Sequence, residues 1–501
     1  MLDDSEAETA LDAMQAGDLR ALIREIVPWL DHPTHARLIN ALVDRAARNS
    51  AGWMPKGPTE KLVADIVAFA DAAKRVGQAD PEDMDAHLRQ GCHAFLARNY
   101  QAAFRIFRAL LIPLSDVDID LDQHEMLDEV LGVDVGRCAA QYIVSMYMTS
   151  SPQHRGKAVL SAVEDVQAVG SFRTPLREME RVAVEPFPGF DRFLSQWRAL
   201  IEERTAGQRA HDWDYAEDLW LREVVHRMEG TEGLARIARA TRRNSDLRAW
   251  CRALVEASDW KSALAAFDEA ARLLESSDCS RGNFLDGAAL AAQELARKDL
   301  PSRLERAWRE APDMARLRRW LGSSRNGKVL SQRVAEALLH VLDGDPTAAA
   351  KLLAAAPGLG WSDPDHPGPL LFPLFAWLLG DEASGEITID TGEPGLFPHR
   401  DGPRLRTPRV SDLLKAARVA QPEDDGIRAA MIKAMRRAAE KRIAGVIENK
   451  RRKYYRHAAS LVLACTRIDD SAGTAVWFMG LRDRYRRYPA LQGELKRAGS
   501  R

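Results

Sequence analysis

Apolar side chains recur every three or four residues through most of the chain, a spacing that places them on one face of an α-helix. A clear example lies in residues 249–274, where Ala263, Phe267 and Leu274 share one face. Asp259 precedes that run and predicts an N-cap, because its carboxylate can accept hydrogen bonds from the free amides of the next turn. The segment therefore predicts two short helices joined by a tight turn.

The same arrangement returns at residues 87–111 and, with a leucine in place of the phenylalanine, at 337–357. In each copy a small residue on the first helix is followed twelve positions later by an alanine and four positions after that by a large apolar residue. The three sets are Gly91, Ala103 and Phe107; Cys251, Ala263 and Phe267; and Ala337, Ala349 and Leu353. Small residues at both positions let two antiparallel helices approach closely. We expect each phenylalanine to be buried against the small residue of its own first helix.

This arrangement resembles the tetratricopeptide (TPR) repeat, in which a small residue on the first helix is followed by an alanine and then an aromatic residue at these intervals. The resemblance covers about 75 of the 501 residues. The anchor alanines lie 160 and 86 residues apart, and neither interval is a multiple of the roughly 34-residue TPR period. The resemblance implies an all-α fold, an α-solenoid of TPR-like helical hairpins with a basic helical C-terminal region. An irregular multi-domain helical protein is the alternative.

Composition along the chain predicts four regions. They are an N-terminal helical region (1–80), a TPR-like helical repeat body (81–380), a Gly/Pro-rich loop or linker (381–410) and a basic C-terminal helical region (411–501). The linker has four glycines, four prolines and no helical stripe, although 386–390 predicts one short strand. Further helices are predicted at 60–76, 134–148, 156–169, 192–203, 217–228, 283–296 and 304–310.

Composition places the chain among ordinary soluble proteins, because 46% of its residues are hydrophobic and 29% are charged. The first residues are acidic and have no apolar core of a signal peptide, and no apolar run approaches the roughly 20 residues that span a bilayer. The five cysteines are far apart in sequence and form no C-x-x-C pair. They predict small buried side chains in a reducing compartment, and we expect a cytoplasmic protein.

Two segments resemble ligand-binding motifs, but each lacks a residue or a structural context that the motif requires. Residues 322–328 (GSSRNGK) match a phosphate-binding loop, but Val329 replaces its Ser or Thr and the preceding 315–321 predicts a helix where a strand is needed. Residues 118–129 space acidic side chains like a Ca²⁺ loop, but Gln123 replaces the glycine of its sharp turn. No histidine or serine motif indicates catalysis, and we expect no enzyme, no cofactor and no metal.

Charge is distributed unevenly. Residues 428–501 hold 19 Lys or Arg and 6 Asp or Glu, about +13, whereas the remaining residues hold 52 and 67, about −15. Within the basic region, one apolar helical face is predicted, formed by Ile432, Met435, Ala439, Ile443 and Val446. Basic side chains interleaved with tyrosines suit contact with phosphates and stacking on bases. The residues that predict contact with nucleic acid or an acidic partner are Lys433, Arg437, Lys441, Lys450, Arg451, Arg452, Lys453, Tyr454, Tyr455 and Arg456. A solvated face, or docking of the basic end on the acidic body, is the other interpretation.

The sequence thus favours a non-enzymatic scaffold or adaptor that binds a protein partner on a helical-repeat surface, because stacked repeats create extended concave surfaces. A nucleic-acid-associated protein that uses the basic C-terminal region is the second hypothesis. No membrane partner is expected, and the oligomeric state is left open.

Overall fold

A computed structural model of the chain describes residues 9–10, 12–49, 53–121, 127–170, 172–207, 213–323, 333–363, 365–380 and 402–498. The protein is 74% helix, and the described residues contain no strand. A single backbone bridge between Gln78 and Asp120 is isolated. The predicted all-α class is confirmed, whereas the solenoid arrangement stays a prediction. The strand predicted at 386–390 lies outside the described residues.

The chain divides into two compact units, Met1–Ala249 and Trp250–Arg501. Within its described residues the first unit forms α1 (Ala16–Ile26), α2 (His32–Asn49), α3 (Glu60–Val76), α4 (Pro81–Leu96), α5 (Tyr100–Ser115), α6 (Leu127–Val130), α7 (Val135–Thr149), α8 (Arg155–Asp165), α9 (Pro175–Val182), α10 (Phe190–Thr205) and α11 (Ala216–Thr241). Helix α12 (Asn244–Glu256) contains the division between the units. The four predicted regions do not follow this division and stay a prediction.

The described part of the second unit is helical as well. It forms α13 (Trp260–Leu273), α14 (Arg281–Glu294), α15 (Leu300–Glu310), α16 (Met314–Ser323), α17 (Arg333–Leu342), α18 (Pro346–Ala355), α19 (Gly368–Leu378), α20 (Val410–Ala417), α21 (Asp425–Glu448), α22 (Tyr455–Ile468), α23 (Ala472–Arg484) and α24 (Pro489–Ala498). Helix α3 has the bounds predicted from its apolar spacing. The helix predicted at 217–228 instead continues to Thr241, interrupted at Gly230, whose φ is 65°.

The three TPR-like hairpins share one turn. Its first residue has a left-handed backbone: φ is 58° at Arg98, 56° at Ser258 and 80° at Gly344. The next residue donates its amide to the carbonyl five positions earlier, at 2.9 Å for Asn99, 3.0 Å for Asp259 and 2.7 Å for Asp345. The same three side chains accept from the amide three positions later, at 3.2, 3.1 and 2.9 Å. One residue therefore ends the first helix and caps the second.

The large apolar residues of the first two hairpins are buried against glycines. Phe107 is fully buried, and a Cβ built on Gly91 would lie 2.6 Å from its ring, so the predicted contact within that hairpin is confirmed. Phe267 is also buried, but its ring meets Gly287 of the following helix, where a Cβ would lie 2.3 Å away. Its predicted contact with Cys251 stays a prediction. Glycine is needed at both positions because any side chain would occupy the space of a phenyl ring.

An ionic cluster lies at the end of the first unit, and all of its members except Asp214 are buried. Its members are Asp214, Asp218, Arg222, Arg243 and Asp246. Asp218 and Asp246 are 0% and 1% exposed, and they accept from Arg243 Nη1 and Arg222 Nη1, each at 2.8 Å. Such charges are tolerated in the interior because each is paired and hydrogen-bonded.

Glu223 on α11 caps the start of α9. Its carboxylate accepts from the amides of Leu176 and Arg177 at 3.1 and 2.8 Å. Burial raises the pKa of Glu223 to about 7, although these backbone hydrogen bonds oppose the shift. A carboxyl whose pKa is higher in the folded state binds its proton more tightly there, so the proton stabilises the fold.

This pKa predicts a pH dependence of stability. The contribution of protonated Glu223 is fully present below the unfolded pKa, near 4.5, and is lost as pH rises through about 7. We expect wild type to lose stability relative to Glu223→Gln between pH 5 and pH 8, because glutamine does not ionise. Urea midpoints of both proteins across this range provide the measurement. Parallel profiles would contradict the assignment.

Candidate interaction surface on the C-terminal helices

Helix α21 carries the basic residues that the sequence indicates. Asp424 begins it, accepting from the amide of Ile427 at 2.9 Å. The face predicted to be apolar is confirmed, since Met435, Ala439 and Ile443 are 0–1% exposed. This face packs on α18 and α22. Burial of this apolar face determines which side chains of α21 point into the unit and which face solvent.

Lys441 is engaged within the fold. Its ammonium group donates to the carbonyls of Ala354, Ala355 and Ala356 at 2.8, 3.2 and 3.1 Å. These carbonyls end α18, where helices leave acceptors without internal partners and carry partial negative charge. Arg442, the next residue, donates to the carbonyl of Gly358 at 3.2 Å. The basic end therefore contacts its own unit partly through helix carbonyls.

Lys441→Met is expected to lower the free energy of unfolding by about 1–2 kcal/mol, because three carbonyls lose a charged donor while the aliphatic stem remains. Arg437→Met is the matched control. Arg437 lies one turn earlier, is exposed and has no ion-pair partner among the described residues. Its charge repels that of Lys441, so its loss should leave stability unchanged or raise it slightly. Denaturant unfolding followed by circular dichroism compares the variants. Equal stability of both would contradict a capping role.

The other residues predicted to contact a partner occupy different positions. Lys433, Arg437, Lys450, Arg451, Arg452, Lys453 and Arg456 are exposed. Tyr455 is 8% exposed and belongs to the core, so its ring is not open to a stacked base. Tyr454 is half-buried, and both Arg442 and Lys453 lie over its ring at 5.1 Å. These basic residues are thus exposed, whereas most of the aromatic surface of Tyr454 and Tyr455 is buried.

A groove of about 760 Å³ separates α21 from the start of α23. Lys433 and Arg437 line it together with Asp425, Asp469 and Asp470. Its lining also includes Arg428, Arg436 and Glu440, so four basic and four acidic side chains line the groove. Their charges balance, and the groove has no preference for a polyanion.

Helix α23 presents an exposed apolar face that the sequence analysis did not identify. Ala472, Ala475, Val476 and Met479 are exposed and follow the i, i+3, i+4, i+7 spacing of one helical stripe. Val476 is 72% and Met479 60% exposed. We call these four residues the α23 stripe. The spacing was visible in the sequence, but only the structure shows that the stripe faces away from the core.

Exposed arginines lie just beyond the α23 stripe. Arg484, Arg486 and Arg487 follow it at the end of the helix and are exposed. The ion pair of Arg486 with Asp483, at 3.7 Å, is itself exposed. The chain that follows the stripe therefore carries three exposed arginines and one exposed aspartate.

Both motifs that resemble ligand sites lie partly outside the described residues. Residues 315–321 lie in α16, so the segment before GSSRNGK is helical as predicted, while 324–332 are outside the described residues. Residues 122–126 of the Ca²⁺-like segment are likewise outside them. Within the described ranges, no group of three or more histidine, cysteine, aspartate or glutamate side chains is arranged to hold a metal ion.

Most of the apolar run at 369–380 belongs to the buried helix α19. In the part of the chain that the structure describes, no helix has the length and apolar character that crossing a membrane requires. No protein-family model, no curated protein and no solved structure matches this chain.

Proposed function

We propose that this chain is a non-enzymatic scaffold that binds an acidic, amphipathic segment of a partner protein on the α23 stripe. The observation that carries the proposal is the exposure of Val476 and Met479 on one helical face. Large apolar side chains grouped on a surface mark interaction sites, because water leaves them favourably when a partner covers them. The proposed function includes a cytoplasmic location and stacking of the TPR-like hairpins into an α-solenoid.

Charge complementarity favours an acidic partner. Arg484, Arg486 and Arg487 follow the stripe in the chain, and the residues from 428 onward carry about +13. An amphipathic helix with carboxylates beside its apolar face would place that face on the α23 stripe and its carboxylates near the arginines. The shared turn of the three hairpins supports the repeat part of the proposal, because repeat proteins build binding surfaces by stacking similar units.

The test compares Val476→Asp/Met479→Asp with wild type in cross-linking and affinity purification from the native host. Both side chains are exposed, so the fold should persist while acidic groups on the stripe repel an acidic partner. Val76→Asp is the control, because Val76 is a 76%-exposed valine at the end of α3. The proposal is supported if wild type and Val76→Asp both recover a partner that the double variant does not. The cross-linked segment of that partner must also be acidic and amphipathic. Recovery of the same proteins by all three chains would overturn the proposal.

Binding of nucleic acid is the second candidate, favoured by the exposed run Lys450–Arg451–Arg452–Lys453. None of these four forms an ion pair among the described residues. If they contact phosphates, replacing all four by alanine should weaken binding to DNA or RNA and reduce its salt dependence. Each phosphate contact contributes a log–log slope of about 0.7–0.9. Lys441 is excluded from this variant because it caps α18. Absence of binding in about 50 mM salt, where these contacts are strong, would dismiss this candidate.

A further inference from the structure

The first unit contains a cavity of about 900 Å³ that the sequence analysis did not indicate. Helices α2, α4 and α7 line it. Their contributions include Asn40 and Asp44 from α2, Cys92 and His93 from α4, and Cys138 and Gln141 from α7. Two cysteines that lie 46 positions apart in the sequence therefore open onto the same space.

The two thiols are neighbours. The Sγ atoms of Cys92 and Cys138 lie 3.6 Å apart, close enough for one thiol to donate a hydrogen bond to the other. Cys138 is fully buried, whereas Cys92 is half-buried and is the sulfur with more access to a small molecule. A disulfide requires an S–S distance of about 2.05 Å, so the pair must close by roughly 1.5 Å. That movement is within the reach of side-chain and small helix adjustments.

The two sulfurs differ in burial and in the charged groups beside them. The hydrogen bond to Cys92, followed by burial, raises the pKa of Cys138 well above its usual value, so Cys138 keeps its proton. Burial acts to lower the pKa of Arg137. The hydrogen bond and ion pair of Arg137 with Asp44, followed by its attraction to Cys92, outweigh burial and raise that pKa. Arg137 therefore brings positive charge near Cys92. Because Cys92 is also the more exposed of the two sulfurs, it is the one that a small oxidant reaches first.

The cavity also presents unsatisfied polar atoms. Asn40 Nδ2, His93 Nε2 and Gln141 Oε1 are buried and have no hydrogen-bond partner among the described residues. Burial, followed by repulsion from Arg89, lowers the pKa of His93, so its imidazole is neutral. Unpaired buried donors and acceptors favour a small polar molecule that offers both. A hydroperoxide has both.

We propose that Cys92 and Cys138 form a redox-sensitive dithiol, which a hydroperoxide reversibly oxidises to a disulfide joining α4 to α7. The Cys92 thiolate attacks the peroxide; its O–O bond breaks, an S–O bond forms, and the leaving oxygen takes up a proton to become water or an alcohol. The Cys138 sulfur then attacks the Cys92 sulfenic acid: the S–O bond of Cys92 and the S–H bond of Cys138 break, the S–S bond forms, and the hydroxyl leaves with the thiol proton as water. The sulfurs together lose two electrons, and the peroxide gains them.

The test treats the reduced full-length chain with hydrogen peroxide, blocks remaining thiols and maps peptides by mass spectrometry. Expected is a peptide cross-linked through Cys92 and Cys138, lighter by the mass of two hydrogen atoms and released by dithiothreitol. Cys92→Ser should abolish it. Cys138→Ser should leave a sulfenic acid on Cys92, trapped by dimedone, because the resolving thiol is missing.

Two other cysteines provide controls in the same experiment. Cys465→Ser removes a buried thiol far along the chain and should leave the cross-link intact. Cys279 is exposed and reports that the oxidant is active. Cys92 that stays reduced when Cys279 is fully oxidised would overturn the proposal. Oxidation of Cys92 to the sulfinic acid without a cross-link to Cys138 would overturn it as well.

Discussion

Asp246→Ala is expected to destabilise the first unit by about 3–5 kcal/mol. Asp246 is 1% exposed and accepts from Arg222 and from Thr241 Oγ1, each at 2.8 Å. Removing its carboxylate leaves the 7%-exposed Arg222 with less compensation for its buried charge. Because a domain's total stability is about 5–15 kcal/mol, a loss of this size should be evident as a shifted unfolding transition.

The control for this prediction is an exposed ion pair in the same unit. Glu164 pairs with Arg204, and their side chains are 40% and 41% exposed. Glu164→Ala should cost about 0–1 kcal/mol, because water already screens the pair. Urea unfolding with hydrogen exchange of α11 amides measures both variants. Similar losses in the two would show that the Asp246 cluster is not held by its buried charges.

Phe267→Ala should lower the stability of the second unit by about 3–5 kcal/mol. The ring is 1% exposed and packs on Gly287 and near Phe284, whose centroid is 6.5 Å away. Truncation removes apolar contact and leaves a cavity between α13 and α14. Hydrogen exchange of these two helices localises the effect. An unchanged unfolding transition would contradict the packing of Phe267 between α13 and α14.

Gly287→Ala tests the same contact from the other side. Its new methyl would overlap the Phe267 ring, and such overpacking costs about 1–3 kcal/mol. The matched control is Gly480→Ala on α23, where no atom lies within 4 Å of the added Cβ. There alanine should stabilise the helix by up to about 1 kcal/mol through its higher helix propensity. Opposite signs for the two substitutions are the expected result.

The scaffold and nucleic-acid proposals depend on different residues of the second unit. The α23 stripe is apolar and ends at Met479, whereas the exposed basic run is 450–453. Each variant can therefore be assayed for both activities. Loss of protein binding only in Val476→Asp/Met479→Asp would support the scaffold, while loss of nucleic-acid binding only in the alanine variant of 450–453 would support the alternative.

Local features of the fold were determined by the sequence itself. The N-cap was predicted at Asp259, and Asn99 and Asp345 cap the equivalent turns, because an N-cap depends only on a side chain and the amide three residues later. Apolar spacing likewise placed α3 and the buried face of α21, since helical periodicity reflects burial directly. Interactions over a few residues are nearly independent of the rest of the fold.

Only the tertiary structure decided which distant groups meet. Phe267 and Gly287 lie 20 positions apart, Cys92 and Cys138 lie 46 apart, and Lys441 lies 87 positions from Ala354. A helical pattern shows which face of a helix is buried but not which helix covers it. The α23 stripe has the spacing of a buried helix face, yet it is exposed in the structure. Whether such a face is buried depends on the docking of whole helices, which sums many weak contacts across the unit.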